Sequence, residues 1–167
     1  MKIFINRKIV DGPWGGGNKF VQALFSHATS LGHKVVNTWD DDIDIIHVQD
    51  VHADSLGANA DMCLRYKKYN PNAKIVHRVN DMDLGRYGSN PWRDAAYIHY
   101  SELFDASIFV SDWTKQFFLD KGWKGSNNYV ATNGVDKDVF KPTEKINNDK
   151  INIVTHHWSD NKGKGFD

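Results

Sequence analysis

Lys2-Ile3-Phe4-Ile5-Asn6, Gly12-Pro13-Trp14-Gly15-Gly16-Gly17-Asn18 and Lys34-Val35-Val36-Asn37-Thr38 read in order as a strand, a glycine turn and a second strand, and what lies between the turn and the second strand decides the fold. Over residues 18–31, Phe20, Val21, Leu24, Phe25, Ala28 and Leu31 recur at helical spacing, so one face is apolar. Asn18 is placed to cap the start of this helix and Gly32 to end it. Strand, helix and strand in 38 residues form a βαβ unit, and that unit demands a parallel pairing.

The pattern repeats down the chain. Strands are expected over residues 43–49, 73–79, 106–111 and 128–132, each a short run rich in Ile, Val or Ala. Helices are expected over residues 55–69, closed by Asn70-Pro71, and over 91–103, opened by Asn90 as cap and Pro91 at the first helical position. Asp94 in the first turn suits the positive end of that helix. A fourth helix is capped by Ser111, carries Trp113, Phe117 and Phe118, and ends at Gly122. The expected architecture is α/β, a doubly wound, mainly parallel Rossmann-like sheet with helices on both faces. It fills residues 1–142. Residues 143–150 are polar and read as a linker, and Ile151-Asn152-Ile153-Val154-Thr155 with the loop after it reads as the first strand of a truncated second domain.

Composition narrows the function. Lys+Arg and Asp+Glu are 21 each, a net charge of zero, which argues against a nucleic-acid partner. The single cysteine, Cys63, supports no disulfide framework and reads as packing. The short apolar N-terminus and the lack of a long apolar run give the expectation of a cytoplasmic protein. A position at the cytoplasmic face of a membrane stays open, because residues 91–103 mix Trp92, Tyr97, Ile98 and Tyr100 with Arg93.

Ligands of open parallel sheets bind at the carboxyl ends of the strands, which selects four loops. Gly15-Gly16-Gly17 before a helix is either a plain turn or a loop that lets backbone N–H groups reach an anion. His77-Arg78-Val79-Asn80-Asp81 ends a strand. Asn80 and Asp81 are either junction residues or groups that bind hydroxyls or move a proton, while His77 reads as a satisfied core histidine. Asn133-Gly134-Val135-Asp136 is a turn at a domain junction. In the fourth loop, Lys162, Lys164 and Gly165 suit a diphosphate. His156-His157 does not make a metal site, because adjacent side chains on a strand diverge. His47 and His52 show no ligand spacing.

These pieces, in this order, resemble the N-terminal domain of family-4 glycosyltransferases of the GT-B fold. The resemblance rests on Gly15-Gly16-Gly17, Leu31-Gly32-His33-Lys34-Val35, Asp44-Ile45-Ile46-His47-Val48, Ile75-Val76-His77-Arg78-Val79-Asn80-Asp81 and Asp105-Ala106-Ser107-Ile108-Phe109-Val110-Ser111. It continues in Asn133-Gly134-Val135-Asp136 with Phe140 and Pro142, and ends at Lys164-Gly165. It implies the acceptor-binding half of an enzyme that moves a sugar, with retention and with no bound metal, from a UDP- or GDP-linked donor to a glycan, lipid or other acceptor. No cofactor is implied beyond the nucleotide-sugar substrate. The remaining C-terminal domain is the implied partner. On this resemblance Gly15, Gly16, Gly17, Lys162, Lys164 and Gly165 meet the donor, Asn80 and Asp81 act at the reacting centre, and Trp14, Asn18, Arg86, Trp92 and Arg93 meet the acceptor. Asn80 stands where many relatives have His, and His156-His157 stand where relatives often have Gly-Arg. The acidic donor motif of the family's second domain is not in this sequence, so the chain alone is expected not to turn over donor. The alternatives are a nucleotide-sugar epimerase or other GT-B-like enzyme, and a non-catalytic carbohydrate- or protein-binding module.

Overall fold

The structure, a computed structural model, describes residues 1–12, 14–52, 57–83, 91–144 and 153. Two compact units result, Met1–Thr132 and Asn133–Asp167. The first holds β1 (Lys2–Ile5), α1 (Gly15–Ser30), β2 (Lys34–Val36), β3 (Ile45–Val48), α2 (Ala60–Tyr69), β4 (Lys74–Val79), α3 (Pro91–Ser101), β5 (Ala106–Phe109), α4 (Asp112–Asp120) and β6 (Asn128–Val130). The six strands form one sheet in the order β2-β1-β3-β4-β5-β6. Every pairing is parallel. This is the doubly wound, Rossmann-like α/β architecture expected from the sequence.

Alternation along the strands divides the core in two. Ile3 and Ile5 face α1 and pack with Val21 and Ala28, with Phe20, Leu24 and Phe25 at the margin. Phe4, Ile46, Val48, Ile75, Val79 and Phe109 face the other way and pack against Cys63 of α2, Tyr97 of α3 and Phe118 of α4. Among the described residues, α1 therefore covers one face and three helices the other. The crossover from β2 to β3 has no helix. Trp39 takes that place, stacked on Phe4 at 4.1 Å and on Tyr66 of α2 at 5.2 Å. Cys63 is buried, and burial pushes its thiol up to about 12, so it packs as a neutral group.

Several local expectations need correction. Asn18 does not cap α1: the helix begins at Gly15, and Asn18 lies inside it, buried. Leu31 follows the helix and is exposed, because Gly32 at φ +82° turns the chain away there. α2 starts at Ala60 rather than near residue 55. Asn59 caps it by accepting from the Met62 N–H, and Gly57 is drawn into a bridge with Arg7. The strands end two residues earlier than expected at β2, β5 and β6, where the paired ladder stops. Ser111 caps α4 as expected. Asn90, the loop 156–165 and all of the strand at 151–155 but Ile153 lie outside the described residues.

In the second unit, the described residues 133–144 form a turn in which the N–H of Phe140 donates to the Asp136 carbonyl at 2.8 Å. Val135, Val139 and Phe140 are exposed.

Candidate functional site

The strand order reverses direction between β1 and β3. The chain leaves β1 for β2 on one side and returns to β3 on the other. Neighbouring connections diverge there, and a crevice opens at the carboxyl edge. Asn6, directly after β1, ties the two strand ends together. Its carbonyl oxygen Oδ1 accepts from the Gln49 N–H at 2.7 Å, and its Nδ2 donates to the carbonyls of Asp50 at 2.6 Å and Ala58 at 2.7 Å. Nearly all of Asn6 is buried, so these bonds fix the height at which residues 49–52 leave the sheet.

On the α1 side of this edge stands the glycine turn. Gly15, Gly16 and Gly17 form the first turn of a 16-residue helix. Trp14 precedes it without a side-chain cap, and the first turn has no acidic residue. The leading N–H groups of such a helix point outward as donors at the positive end of its dipole. A Cβ on Gly17 would lie 3.7 Å from the Gln49 Nε2, while a Cβ on Gly16 would meet nothing within 4 Å. The buried Arg78 guanidinium lies 3.7 Å over the Phe20 ring of α1. Burial lowers Arg78 to about 10, so it remains a cation at neutral pH. Asn18 is occupied: Oδ1 accepts from the Val10 N–H at 3.0 Å and Nδ2 donates to the Val10 carbonyl at 2.7 Å.

On the other face, Asp50, His52, Asp83 and Arg93 line a cavity of about 290 Å³. Asp50 and His52 follow β3, Asp83 follows β4, and Arg93 is on the first turn of α3. Asp50 Oδ1 accepts from the backbone N–H of His52 at 3.1 Å and lies 3.2 Å from its Nδ1. Asp50 Oδ2 accepts from Arg93 at 3.0 Å. Arg93 also lies 3.7 Å from Asp83, and the N–H of Asp83 donates to the buried Asp94 at 2.9 Å. Tyr97, wholly buried, supports the cluster, with its ring 6.5 Å from that of His52 and 5.8 Å from the Arg93 guanidinium carbon. Burial first, then Asp50, pushes the Tyr97 phenol up to about 12. Burial pulls Arg93 down, but Tyr97, Asp50 and Asp83 outweigh it and leave it above its usual value. The cluster holds fixed charges of both signs and one imidazole.

The residues singled out from the sequence fall into three groups. Arg93 is in the cavity wall, and Gly15, Gly16 and Gly17 form the helix start. Trp14 and Trp92 are exposed, at 57% and 78%. Asn80 and Asp81 follow β4 and are half-buried, with Asp81 Oδ1 accepting from the N–H of Met82 at 3.0 Å. Arg86, Lys162, Lys164 and Gly165 lie outside the described residues. Asp50, His52 and Asp83 were not singled out residue by residue from the sequence. Their signal was an Asp-x-His step directly after a strand, which gains meaning only once that strand sits at the switch point. His77 is in the core as expected but is not satisfied. Neither ring nitrogen has a hydrogen-bond partner, and the rings of Tyr97 at 4.9 Å, Phe104 at 5.6 Å and Trp123 at 6.2 Å surround it. The apolar residues of α3 face inward: Tyr97 is buried and Ile98 and Tyr100 pack against the core, leaving Trp92 outside. No described helix is long and apolar enough to cross a membrane.

No protein-family model matches this chain, and no curated protein does.

Proposed function

We propose that this chain is the acceptor-side domain of a glycosyltransferase that uses a nucleotide-sugar donor. One observation carries the reading. An uncapped glycine helix start and a carboxylate–guanidinium–imidazole cavity flank the same topological switch point, joined through Gln49 and Asp50. Glycosyl transfer needs those two chemistries side by side. The departing diphosphate gathers negative charge, which preorganised N–H donors stabilise. The attacking group is a sugar or lipid hydroxyl, which carboxylates and an imidazole hold as acceptors. Trp14 and Trp92 offer exposed ring faces for a sugar. Asn80 and Asp81 supply further polar groups at the end of β4. The family resemblance adds retention of configuration and a UDP or GDP donor.

Calorimetry against UDP- and GDP-sugars and a panel of oligosaccharides tests the reading. Saccharide binding is expected, weakened at least tenfold by Arg93→Ala. A chain that binds neither class but holds a protein partner tightly would be an assembly module instead, and preferential binding of a nicotinamide dinucleotide would point to an oxidoreductase.

A further inference from the structure

Gln49 follows β3 and turns its side chain to the α1 side of the sheet, alternating with Val48, which packs in the opposite core. Its backbone N–H is tied to Asn6 Oδ1 at 2.7 Å. The residue is only 3% exposed, and its Oε1 lies 3.5 Å from Nε2 of His47. Burial holds His47 down at about 4, so the imidazole is neutral at neutral pH and its Nε2–H donates to Oε1. The Gln49 amide then keeps both N–H bonds of its Nε2 facing away from His47. Among the described residues none accepts from that nitrogen. A Cβ on Gly17 would stand 3.7 Å from it, so Nε2 lies against the first turn of α1. A donor buried in this way carries a desolvation cost that an arriving acceptor relieves.

The groups that meet there are donors. Gly15, Gly16 and Gly17 open a 16-residue helix, Trp14 gives it no side-chain cap, and its first turn carries no acidic residue. The leading N–H groups have no acceptor within the helix and stand at the positive end of its dipole. Backbone amides and a side-chain amide that converge suit a ligand atom that only accepts, as a phosphoryl oxygen does. We propose that Gln49 Nε2 is a further ligand-binding donor, which hydrogen-bonds a phosphoryl oxygen of the diphosphate at the glycine turn and so orients it. This rests on the reading of that turn given above. Gln49 reaches the ligand from the sheet, a second direction, and thereby selects a phosphate seated between α1 and β3 over one resting on the helix end alone.

NMR of the full chain titrated with inorganic pyrophosphate tests this. The side-chain NH2 signals of Gln49 are expected to move together with the amides of Gly15, Gly16 and Gly17. In Gln49→Leu the affinity for pyrophosphate is expected to fall by about tenfold. Glycine amides that move while the Gln49 NH2 signals stay still would overturn the proposal and leave the diphosphate reading of the turn standing. Glycine amides that do not move would overturn both. The native spectrum decides this without a variant, and unchanged affinity in a folded Gln49→Leu chain would equally overturn the role of Gln49.

Discussion

Gly57 passes so close to the strand end that a Cβ placed on it would sit 1.8 Å from the Asn6 carbonyl oxygen. The obstacle is backbone, so it cannot rotate away. Gly57→Ala is therefore expected to destabilise the chain by about 3 kcal/mol or more in urea unfolding. A loss under about 1 kcal/mol would show that the 57–58 segment is free to lift from β1. The damage should reach function, since Asn6 positions Asp50 through the same neighbourhood. His77 makes the opposite case. Its ring nitrogens are buried without partners among aromatic rings, and such groups carry a desolvation cost of about 1–3 kcal/mol. His77→Phe keeps a flat ring and removes that cost, so it should leave stability unchanged or raise it by about 1 kcal/mol. A large loss would reveal a polar role for His77.

At the scale of elements, most of the fold was legible because each signal was local. Apolar periodicity marks α1, Ser111 marks α4, and Gly32 and Gly122, both at positive φ, mark helix ends. The start of α1 was misplaced because a polar residue suited to capping was engaged elsewhere. Asn18 looked like a cap for α1 but holds the backbone of Val10 across eight residues, a contact that no local rule encodes. Replacing it tests this. Asn18→Leu keeps the helix, yet it should speed hydrogen exchange at the Val10 amide by at least tenfold. Unchanged protection would mean that the 7–12 segment is held by other contacts. The cavity was less legible than the elements around it. Asp50, His52, Asp83 and Arg93 come from three separate segments, and what brings them together is the parallel pairing of β3 with β4, which sets their carboxyl ends side by side.

Across the whole molecule, the sheet separates two chemistries, a helix start with Arg78 on the α1 face and an acid-rich cavity on the other. It also buries two histidines. Burial holds His47 down at about 4 and His77 down at about 3. Both bind protons more readily when unfolded, near pH 6.5. Their stability contribution is therefore complete above about pH 6.5 and is lost as pH falls from there toward 4 and 3, by up to about 1.4 kcal/mol per pH unit for each histidine. Unfolding free energies measured from pH 7 to 5 should decline accordingly, and His77→Phe should remove about half the slope. A flat profile would contradict the burial of both rings. The central claim is that the two faces of the switch point bind the two substrates of sugar transfer. Residue-resolved NMR of the full chain, titrated separately with nucleotide sugars and with oligosaccharides, tests it most directly. A UDP- or GDP-sugar is expected to shift the amides of Gly15, Gly16 and Gly17, and a saccharide to shift His52 and Arg93. Both ligands failing to touch this edge of the sheet, or both crowding onto the glycine turn, would contradict it.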